Sequence, residues 1–311
     1  MKFCLRHDIP IFVLNGMGRF FGAIESTGNQ NVLLHQKQFE RLADQTFVIE
    51  TARQIVAAKI RNCRTLLQRR QRKAPANRIA QSINEMLALD SQLQTTQNID
   101  QIRGYEGAAA ASYFAGYASC LPQAFGFKTR TRRPPLDPVN ALLSFGYTLL
   151  FYNIYAIVRA RGLSPYVGSL HALRQGHPAL CSDLIEELRA PIVDSLVTSL
   201  LNRMVFTPAD FYYDDPELAG SADMPAPRGT DTTMSPVVAD TISTSSARGC
   251  FLTDEARRRF VTHFERRMNT ILLHHAARIR TTWRGCIDIQ AGHFVQLLRG
   301  EVQSYVPIEI R

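Results

Sequence analysis

The chain has 311 residues, with 36 lysines and arginines against 27 aspartates and glutamates, so its formal net charge is +9 and its pI is about 9.5. Hydrophobic residues make up 45% of the sequence and charged residues 20%, a balance that supports a sizeable core and excludes global disorder. Only five of the 36 basic residues are lysines. Because arginine presents a planar fork of donors that fits phosphate oxygens, this excess indicates a polyanionic partner; a solvated basic surface explains it equally well.

The cysteines and the apolar segments bear on the compartment. The six cysteines, at positions 4, 63, 120, 181, 250 and 286, form no CxxC pair. No segment resembles a signal peptide, so we expect a reduced cytoplasmic protein. The most apolar stretch, residues 141–158, contains polar residues such as Asn153 and is followed by Arg159 and Arg161. It predicts a buried helix and no membrane partner.

Most of the chain has a helical pattern. Residues 9–26 contain β-branched and aromatic residues around a glycine-containing turn, which predicts a β-hairpin. From about Asn31 onward, apolar residues recur at three- and four-residue spacing. The helical segments cover 31–73, 77–94, 97–119, 137–161, 178–203 and 252–301. The sequence therefore predicts a mainly α protein in which a small β element precedes a helical domain.

The composition changes between residues 214 and 249. This stretch is rich in Pro, Gly, Ser, Thr, Ala and Asp and has no apolar periodicity, so we expect a long flexible insertion. The helical pattern resumes at Thr253, a suitable N-cap, followed by acidic residues in the first turn. Arginines concentrate at the end of the helix predicted at 47–73 and again at 257–267. Compensation of the helix dipole and contact with phosphate both account for the first group.

The common enzyme signatures are absent from the sequence. None of the five lysines lies in a GxxxxGK[ST] motif, so nucleotide hydrolysis of the P-loop type is not expected. Gly16, Gly18 and Gly22 have the wrong spacing for a dinucleotide fingerprint, and there is no HExxH, no ExxH pair and no GxSxG.

Glu106 is the first residue that simple helix packing does not explain. It interrupts a small, apolar segment over residues 104–114, where small neighbours allow another helix or a nucleic-acid backbone to come close. A buried carboxylate needs a cation or strong donors nearby. The alternative is a structural ion pair with Arg103.

Two further places carry ionisable groups of the same kind. His171 follows a loop marked by Gly162 and Pro165, with a structural histidine as the alternative. Asp183 and Glu186 are three residues apart, so one helical face displays both, and a solvated helix start is the alternative. Together with Glu106 they would form a mixed oxygen and nitrogen site suited to Mn²⁺ or Mg²⁺ and to phosphodiester chemistry. Periodicity alone does not show that the segments converge.

At these residues the sequence resembles the CRISPR-associated endonuclease and integrase of spacer acquisition, the Cas1 family. The matching stretches follow the order of the family and span nearly the whole chain outside the insertion. They are Asp8-Ile9-Pro10-Ile11, residues 31–38, the EGxxAxxYF core at 106–114, residues 137–147 with the NALLSFGY motif, and residues 168–171, 183–194, 249–253 and 297–301.

The resemblance implies a catalytic site and an activity. Glu106, His171 and Glu186 would hold a Mg²⁺ or Mn²⁺ ion, with Asp183 as an auxiliary catalytic residue and Asn140 as structural support. The activity would be that of a metal-dependent DNA endonuclease and integrase, which inserts short duplex DNA into a CRISPR repeat by transesterification from 3′-hydroxyl ends. The implied partners are double-stranded and branched DNA, a second copy of the chain in a homodimer, and the small second Cas protein.

The resemblance is also compatible with a second function, and it implies a division of the chain into two domains. The alternative function is a catalytically silent DNA-binding subunit or fragment of the adaptation complex. The family usually begins with a fuller β domain that pairs protomers. We therefore expect residues 1–30 to be a shortened β domain and residues 31–311 to be the helical catalytic domain, which carries the insertion at 214–249.

Overall fold

In this computed structural model, residues 1–7, 9–14, 20–26, 31–132, 134–214 and 248–310 are described. Helix α1 (Lys2–Arg6) precedes strands β1 (Ile11–Leu14) and β2 (Phe20–Ile24), which pair antiparallel. The hairpin predicted at 9–26 is confirmed. Its turn, and Asp8 of the family-like stretch, lie outside the described residues.

The rest of the described chain is mainly helical, which confirms the predicted fold class. The first five of these helices are α2 (Val32–Ala43), α3 (Gln45–Lys73), α4 (Asn77–Leu93), α5 (Ile99–Ala118) and α6 (Pro138–Ala160). They are followed by α7 (Ala179–Glu186), a π-helical segment (Arg189–Asp194), α8 (Ser195–Asn202), α9 (Asp254–Met268) and α10 (Trp283–Arg299). Single 3₁₀ turns lie at Gln123–Phe125 and Pro208–Asp210.

Side-chain caps define where many of these helices begin. The caps of α2, α3, α5 and α6 accept hydrogen bonds from backbone N–H groups of the first turn and are Asn31, Asp44, Asn98 and Asp137. Asp44 also ends α2, so the helical stretch predicted at 31–73 divides into two helices there. Thr253 caps α9 by accepting a hydrogen bond from the N–H of Ala256, as predicted from the sequence.

Helix α3 links the helices that carry the candidate site. It packs against α4, α5, α7 and the π-helical segment. Its inward-facing positions are fully or almost fully buried, as at Ile55, Ile60 and Leu67. One long amphipathic helix therefore connects α5, which carries Glu106, to α7, which carries Glu186.

Two short strands bracket the segment predicted to be an insertion. Strands β3 (Phe211–Asp214) and β4 (Gly249–Leu252) pair antiparallel, with Asp214 opposite Gly249. The two ends of the 214–249 stretch therefore lie side by side. Its predicted flexibility concerns residues outside the described part of the chain.

Helix α6 lies in the core, as the apolar stretch 141–158 predicted. Of the helices in the described part of the chain, α6 is the one that is long and apolar enough to cross a membrane. Half of its most apolar 18-residue stretch is buried inside the protein. It packs against α7, α10, β4 and the π-helical segment. Leu142, Leu150 and Ile154 have no exposed surface.

The prediction of a helical segment over 252–301 is wrong in its middle. Strands β5 (Ile271–His274) and β6 (Ile279–Thr282) form an antiparallel hairpin between α9 and α10. The β-branched residues concentrated there favour strands, and Ile271 and Ile279 are exposed, so their spacing does not define a buried helix face. Thr282 ends the hairpin and caps α10 by accepting a hydrogen bond from the N–H of Gly285.

Pro191 explains why the helical stretch predicted at 178–203 is irregular. Proline has no N–H to donate and its ring disturbs an α-helix. The chain instead forms the π-helical segment Arg189–Asp194, of which Arg189 alone is not buried. Short π-helical turns are frequent at functional sites, and this one begins three residues after Glu186.

Gly146 of α6 provides a test of this packing. A Cβ at this position would lie 2.6 Å from Val193 Cγ1 and 3.1 Å from Phe260 Cζ. We expect Gly146→Ala to lower the free energy of unfolding by about 1–3 kcal/mol, the usual cost of overpacking a core, as measured by urea denaturation. The control is Gly104→Ala in α5, where nothing lies within 4 Å of the added methyl group. It should be neutral or stabilising, because alanine is the better helix former. Equal losses in both variants would contradict the packing described.

Candidate active site

The ammonium group of Lys59 bridges two carboxylates that belong to different helices. Lys59 lies on the buried side of α3, with a relative exposure of 8%. Its Nζ donates a hydrogen bond to Glu106 Oε1 of α5 and lies 2.5 Å from Glu186 Oε2 of α7. The second contact is a buried ion pair. Arg189 Nη2 lies 2.9 Å from Glu186 Oε1 and completes the cluster.

Lys59 and Glu186 keep their charges in the buried site because each lies beside groups of the opposite charge. Burial by itself lowers the pKa of Lys59, but the carboxylates of Glu106 and Glu186 outweigh this effect, and the pKa is raised. Burial by itself raises the pKa of Glu186, but Arg189, Lys59 and His171 reverse this effect, and the pKa lies well below its usual range. Lys59 and Glu186 are therefore both ionised at neutral pH.

Asp183 holds the loop that carries His171. Its carboxylate is fully buried and accepts hydrogen bonds from the backbone N–H groups of Ser169, Leu170 and His171. Asp183 Oδ1 also lies 2.7 Å from Nδ1 of the His171 ring. Burial lowers the pKa of His171, but the hydrogen bond and charge of Asp183 reverse this effect and raise it. The contact at Nδ1 leaves Nε2 available for another partner, an arrangement typical of metal-ligating histidines.

Two features of the sequence bring this loop close to its neighbours. A Cβ on Gly168 would lie 2.5 Å from Asp183 Oδ2 and 2.7 Å from the backbone carbon of Ala179, so glycine permits the approach to α7. From α5, Arg103 Nε donates a hydrogen bond to the carbonyl of Leu170 at 2.8 Å. Arg103 also pairs with Asp100, and so the proposed structural pairing of Glu106 with Arg103 is wrong.

Arg189 packs against an aromatic ring that a buried carboxylate holds in place. Its guanidinium carbon lies 4.9 Å from the ring centroid of Tyr147, and that of Arg130 lies 5.5 Å from the same centroid. The hydroxyl groups of Tyr147 and Tyr113 donate hydrogen bonds to the two oxygens of Asp194, at 2.6 Å and 2.7 Å. The buried Asp194 thereby fixes the surface on which Arg189 rests.

Asn140 is connected to this cluster through Arg130. Its Oδ1 accepts hydrogen bonds from Arg130 Nη1 at 2.9 Å and from the N–H of Thr131 at 3.0 Å. Its Nδ2 donates to the carbonyl of Thr129 at 2.8 Å. Arg130 in turn stacks on Tyr147, so Asn140 contacts the cluster only through Arg130. Its role as structural support stays a prediction.

Glu187 anchors the C-terminal segment next to the candidate site. Its two oxygens accept hydrogen bonds from the hydroxyl of Tyr305 and the N–H of Ile308, both at 2.6 Å. From α3, Asn62 Nδ2 donates to the carbonyls of Glu187 and Ile308. Burial raises the pKa of Glu187 to about 7, although hydrogen bonds from Tyr305, Ile308 and Gln290 oppose the shift.

This raised pKa predicts a pH dependence of stability. Because the folded protein holds the Glu187 proton more tightly than the unfolded chain, the contribution to stability is complete below about pH 4.3. It is lost as the pH rises through the folded pKa of about 7. We expect Glu187→Gln to reduce the loss of stability between about pH 5 and pH 8, as measured by urea denaturation. Glu301→Gln, which changes an exposed carboxylate that pairs with Arg299, is the control and should keep the wild-type slope. An unchanged slope in Glu187→Gln would contradict the prediction.

The structure brings the predicted site residues into one region. Glu106 and Glu186 flank the Lys59 ammonium, and His171 is close enough for its charge to affect the pKa of Glu186. The carboxylate of Asp183 accepts its hydrogen bonds from the loop that carries His171. Within the described ranges, no three Asp, Glu, His or Cys side chains converge closely enough to hold a metal ion. The metal-ligand roles of Glu106, His171 and Glu186, and the catalytic role of Asp183, stay predictions.

The sequence analysis did not identify Lys59 and Arg189 as residues of the site. Lys59 falls among the apolar positions Ile55, Val56 and Ile60, so the helical spacing already placed it on the buried face. A lysine on such a face needs a carboxylate partner. Arg189 follows Glu186 by three residues, the spacing of a helical ion pair.

Comparison with known proteins relates this chain to a family. The family model described as "CRISPR associated protein Cas1" matches residues 1–221. A CRISPR-associated endonuclease Cas1 from Leptospira interrogans is 34% identical over 282 residues, which cover 88% of this chain and 98% of the relative. A Cas4 exonuclease/Cas1 endonuclease fusion from Geobacter sulfurreducens is 34% identical over 97% of this chain. This chain spans 50% of the length of that fusion.

A solved structure shows the same fold. A chain of a Cas6-RT-Cas1–Cas2 complex superposes with a TM-score of 0.80 and 26% sequence identity, over 99% of this chain and 30% of that longer chain. The mainly helical fold and the extent of the family match agree. The chain belongs to the Cas1 family of CRISPR-associated proteins.

Proposed function

We propose that the chain is a metal-dependent DNA endonuclease and integrase of CRISPR adaptation, which joins short duplex DNA to a repeat array through 3′-hydroxyl transesterification. The observation that carries the proposal is the convergence of Glu106 and Glu186 on one cation position, with His171 beside them. The endonuclease named in Leptospira interrogans, a relative over most of the chain, supports a nuclease activity.

The side chains of the site have the chemistry that a divalent cation requires of its ligands. Carboxylates and an imidazole are ligands that Mn²⁺ or Mg²⁺ accepts, and Glu186 Oε2 already faces one cation, the Lys59 ammonium group at 2.5 Å. We propose that Glu106, His171 and Glu186 hold the ion. When bound, it would lower the pKa of an attacking hydroxyl group and offset the charge that develops at the phosphorus.

The protein would contribute position and charge to this reaction. Asp183 orients the His171 ring, and Arg189 keeps Glu186 ionised. The reaction is an in-line displacement, so the main requirement is that the 3′-hydroxyl group and the phosphorus are held in register. A buried ionic cluster on packed helices is a rigid base for such positioning.

The two arginine-rich regions of the sequence meet beside the π-helical segment and support a DNA ligand. Arg267 of α9 donates hydrogen bonds to the carbonyl of Pro191 and to Ser195 Oγ. Burial lowers the pKa of Arg267, and the nearby charge of Arg69 from α3 lowers it further. Like charges held this close favour a polyanion, and we propose double-stranded and branched DNA.

The remaining partners are proposed on separate observations. The N-terminal elements expose large apolar side chains, at Phe3, Phe21, Val32, Leu33 and Phe39. These support a protein contact, for which we propose a second copy of the chain. The solved complex that shares this fold contains Cas2, and we propose a small protein of that kind as a further partner. Action on chromosomal repeats would place the protein in the cytoplasm.

Glu186 is the residue that tests the proposed activity. We expect Glu186→Ala to abolish Mn²⁺-dependent joining of short duplexes to a repeat substrate, because one carboxylate of the cation site is lost. Duplex binding, measured by fluorescence anisotropy, should remain within about threefold of wild type. Glu50→Gln removes a partly exposed carboxylate that pairs with Arg53 and is the control, with unchanged joining. Joining at the wild-type rate in Glu186→Ala would exclude Glu186 from the mechanism.

The rival function is a catalytically silent DNA-binding subunit. It is favoured by the ammonium group of Lys59, which lies where a cation would be held, and by the lack of a converged metal-ligand set in the described part of the chain. Such a subunit would bind duplex DNA with a steep salt dependence and would neither cut nor join it. Incubation of the purified protein with branched DNA and Mn²⁺ separates the two functions, since cleavage or joining excludes the silent subunit.

A further inference from the structure

We propose that Lys59 is the resident cation of the metal-free site and that a divalent cation binds there by displacing its ammonium group. This inference rests on the proposed function, in which Glu106 and Glu186 are metal ligands. It adds a role for a residue of α3 that ligates no metal.

The first argument is the place that the ammonium group occupies. A single Nζ atom contacts carboxylate oxygens from both α5 and α7. Oxygen ligands approach Mg²⁺ to about 2.1 Å, so an ion shared by Glu106 and Glu186 needs the space between them. That space already holds the Lys59 nitrogen, 2.5 Å from Glu186 Oε2. The ion and the ammonium group therefore compete for one position.

The second argument is charge balance. The carboxylates of Glu106 and Glu186 are matched by Lys59 and Arg189, so the cluster is neutral without a metal ion. Adding a divalent cation while both basic side chains remain would leave two uncompensated positive charges in a buried site. Uncompensated buried charge costs several kcal/mol or more, so the departure of one basic side chain, which halves this excess, favours metal binding.

The third argument identifies which basic side chain leaves. The Arg189 guanidinium is stacked on Tyr147, and Tyr147 is hydrogen-bonded to the buried Asp194. The ammonium group of Lys59 is held by the two carboxylates at the end of a flexible four-carbon chain. Once those carboxylates turn to a metal ion, the Lys59 ammonium has lost its partners. Lys59 therefore moves and Arg189 stays.

Mn²⁺ affinity is the decisive measurement, made by isothermal titration calorimetry without DNA. Removing the competitor should strengthen binding, so we expect Lys59→Gln to bind Mn²⁺ at least about tenfold more tightly than wild type. A residue that supports the metal site would give the opposite result. Arg64→Gln, on the same helix and paired with Asp90, is the matched control and should leave the affinity unchanged. Equal or weaker Mn²⁺ binding in Lys59→Gln would overturn the inference.

A second measurement uses the wild-type protein and does not depend on whether Lys59→Gln folds. Lys59 is buried, whereas Lys2, Lys37, Lys73 and Lys128 are exposed. An amine-acetylating reagent with mass-spectrometric detection should therefore modify Lys59 slowly without metal and several-fold faster at saturating Mn²⁺. The other four lysines are internal controls and should not change. A Lys59 rate that Mn²⁺ leaves unaltered would contradict displacement.

The outcomes for the inference and for the proposed function are distinguishable. If wild type and Lys59→Gln bind Mn²⁺ equally well, the displacement is wrong while the metal site stands. If neither protein binds Mn²⁺, the metal-dependent function fails and the inference fails with it.

Discussion

The buried ion cluster of Lys59, Glu106 and Glu186 is the constraint on which the rest of the site depends. Each of these groups would be costly to bury alone, because a charge loses its hydration in a protein interior. They are tolerated because α3, α5 and α7 bring opposite charges into contact. The same contacts fix where the two carboxylates lie. The contacts that hold the three helices together therefore also determine where the candidate ligands lie.

A twelve-residue stretch, from residue 183 to residue 194, organises the surroundings of this cluster. It supplies Glu186 to the ion cluster and three further buried carboxylates, each with its own donors. Asp183 holds the loop of His171, Glu187 holds the C-terminal segment, and Asp194 holds the tyrosines beneath Arg189. Pro191 interrupts the α-helix between Glu187 and Asp194. The irregular backbone there lets neighbouring residues face three different parts of the protein.

The sequence predicts most of the helices because their apolar spacing and caps are local properties. Thr253 before α9 is an example, since its capping bond involves a residue three positions away. The hairpin at Ile271–His274 and Ile279–Thr282 was missed because a short strand between two helices has no periodicity long enough to distinguish it. The pairing of Asp214 with Gly249 joins residues separated by the whole insertion, so no local pattern could indicate it.

The candidate site shows the same division between local and long-range information. The spacing of Asp183 and Glu186 placed them on one helix, but their different partners depend on tertiary packing. The sequence shows Glu106 as a carboxylate among small and apolar neighbours, whereas its partner comes from α3, 47 residues away. Lys59 carried a signal of its own, a lysine among buried positions, but the sequence does not say which carboxylates it meets.

A double-mutant cycle in the metal-free protein tests the central claim most directly. Lys59→Met, Glu186→Gln and the combined variant would be compared with wild type by urea unfolding. If the ion pair is formed, the double variant should be more stable than the sum of the single losses predicts, by about 1–3 kcal/mol, because each single change leaves a buried charge unpaired. Losses that add to within about 0.5 kcal/mol would contradict a direct contact between the two groups.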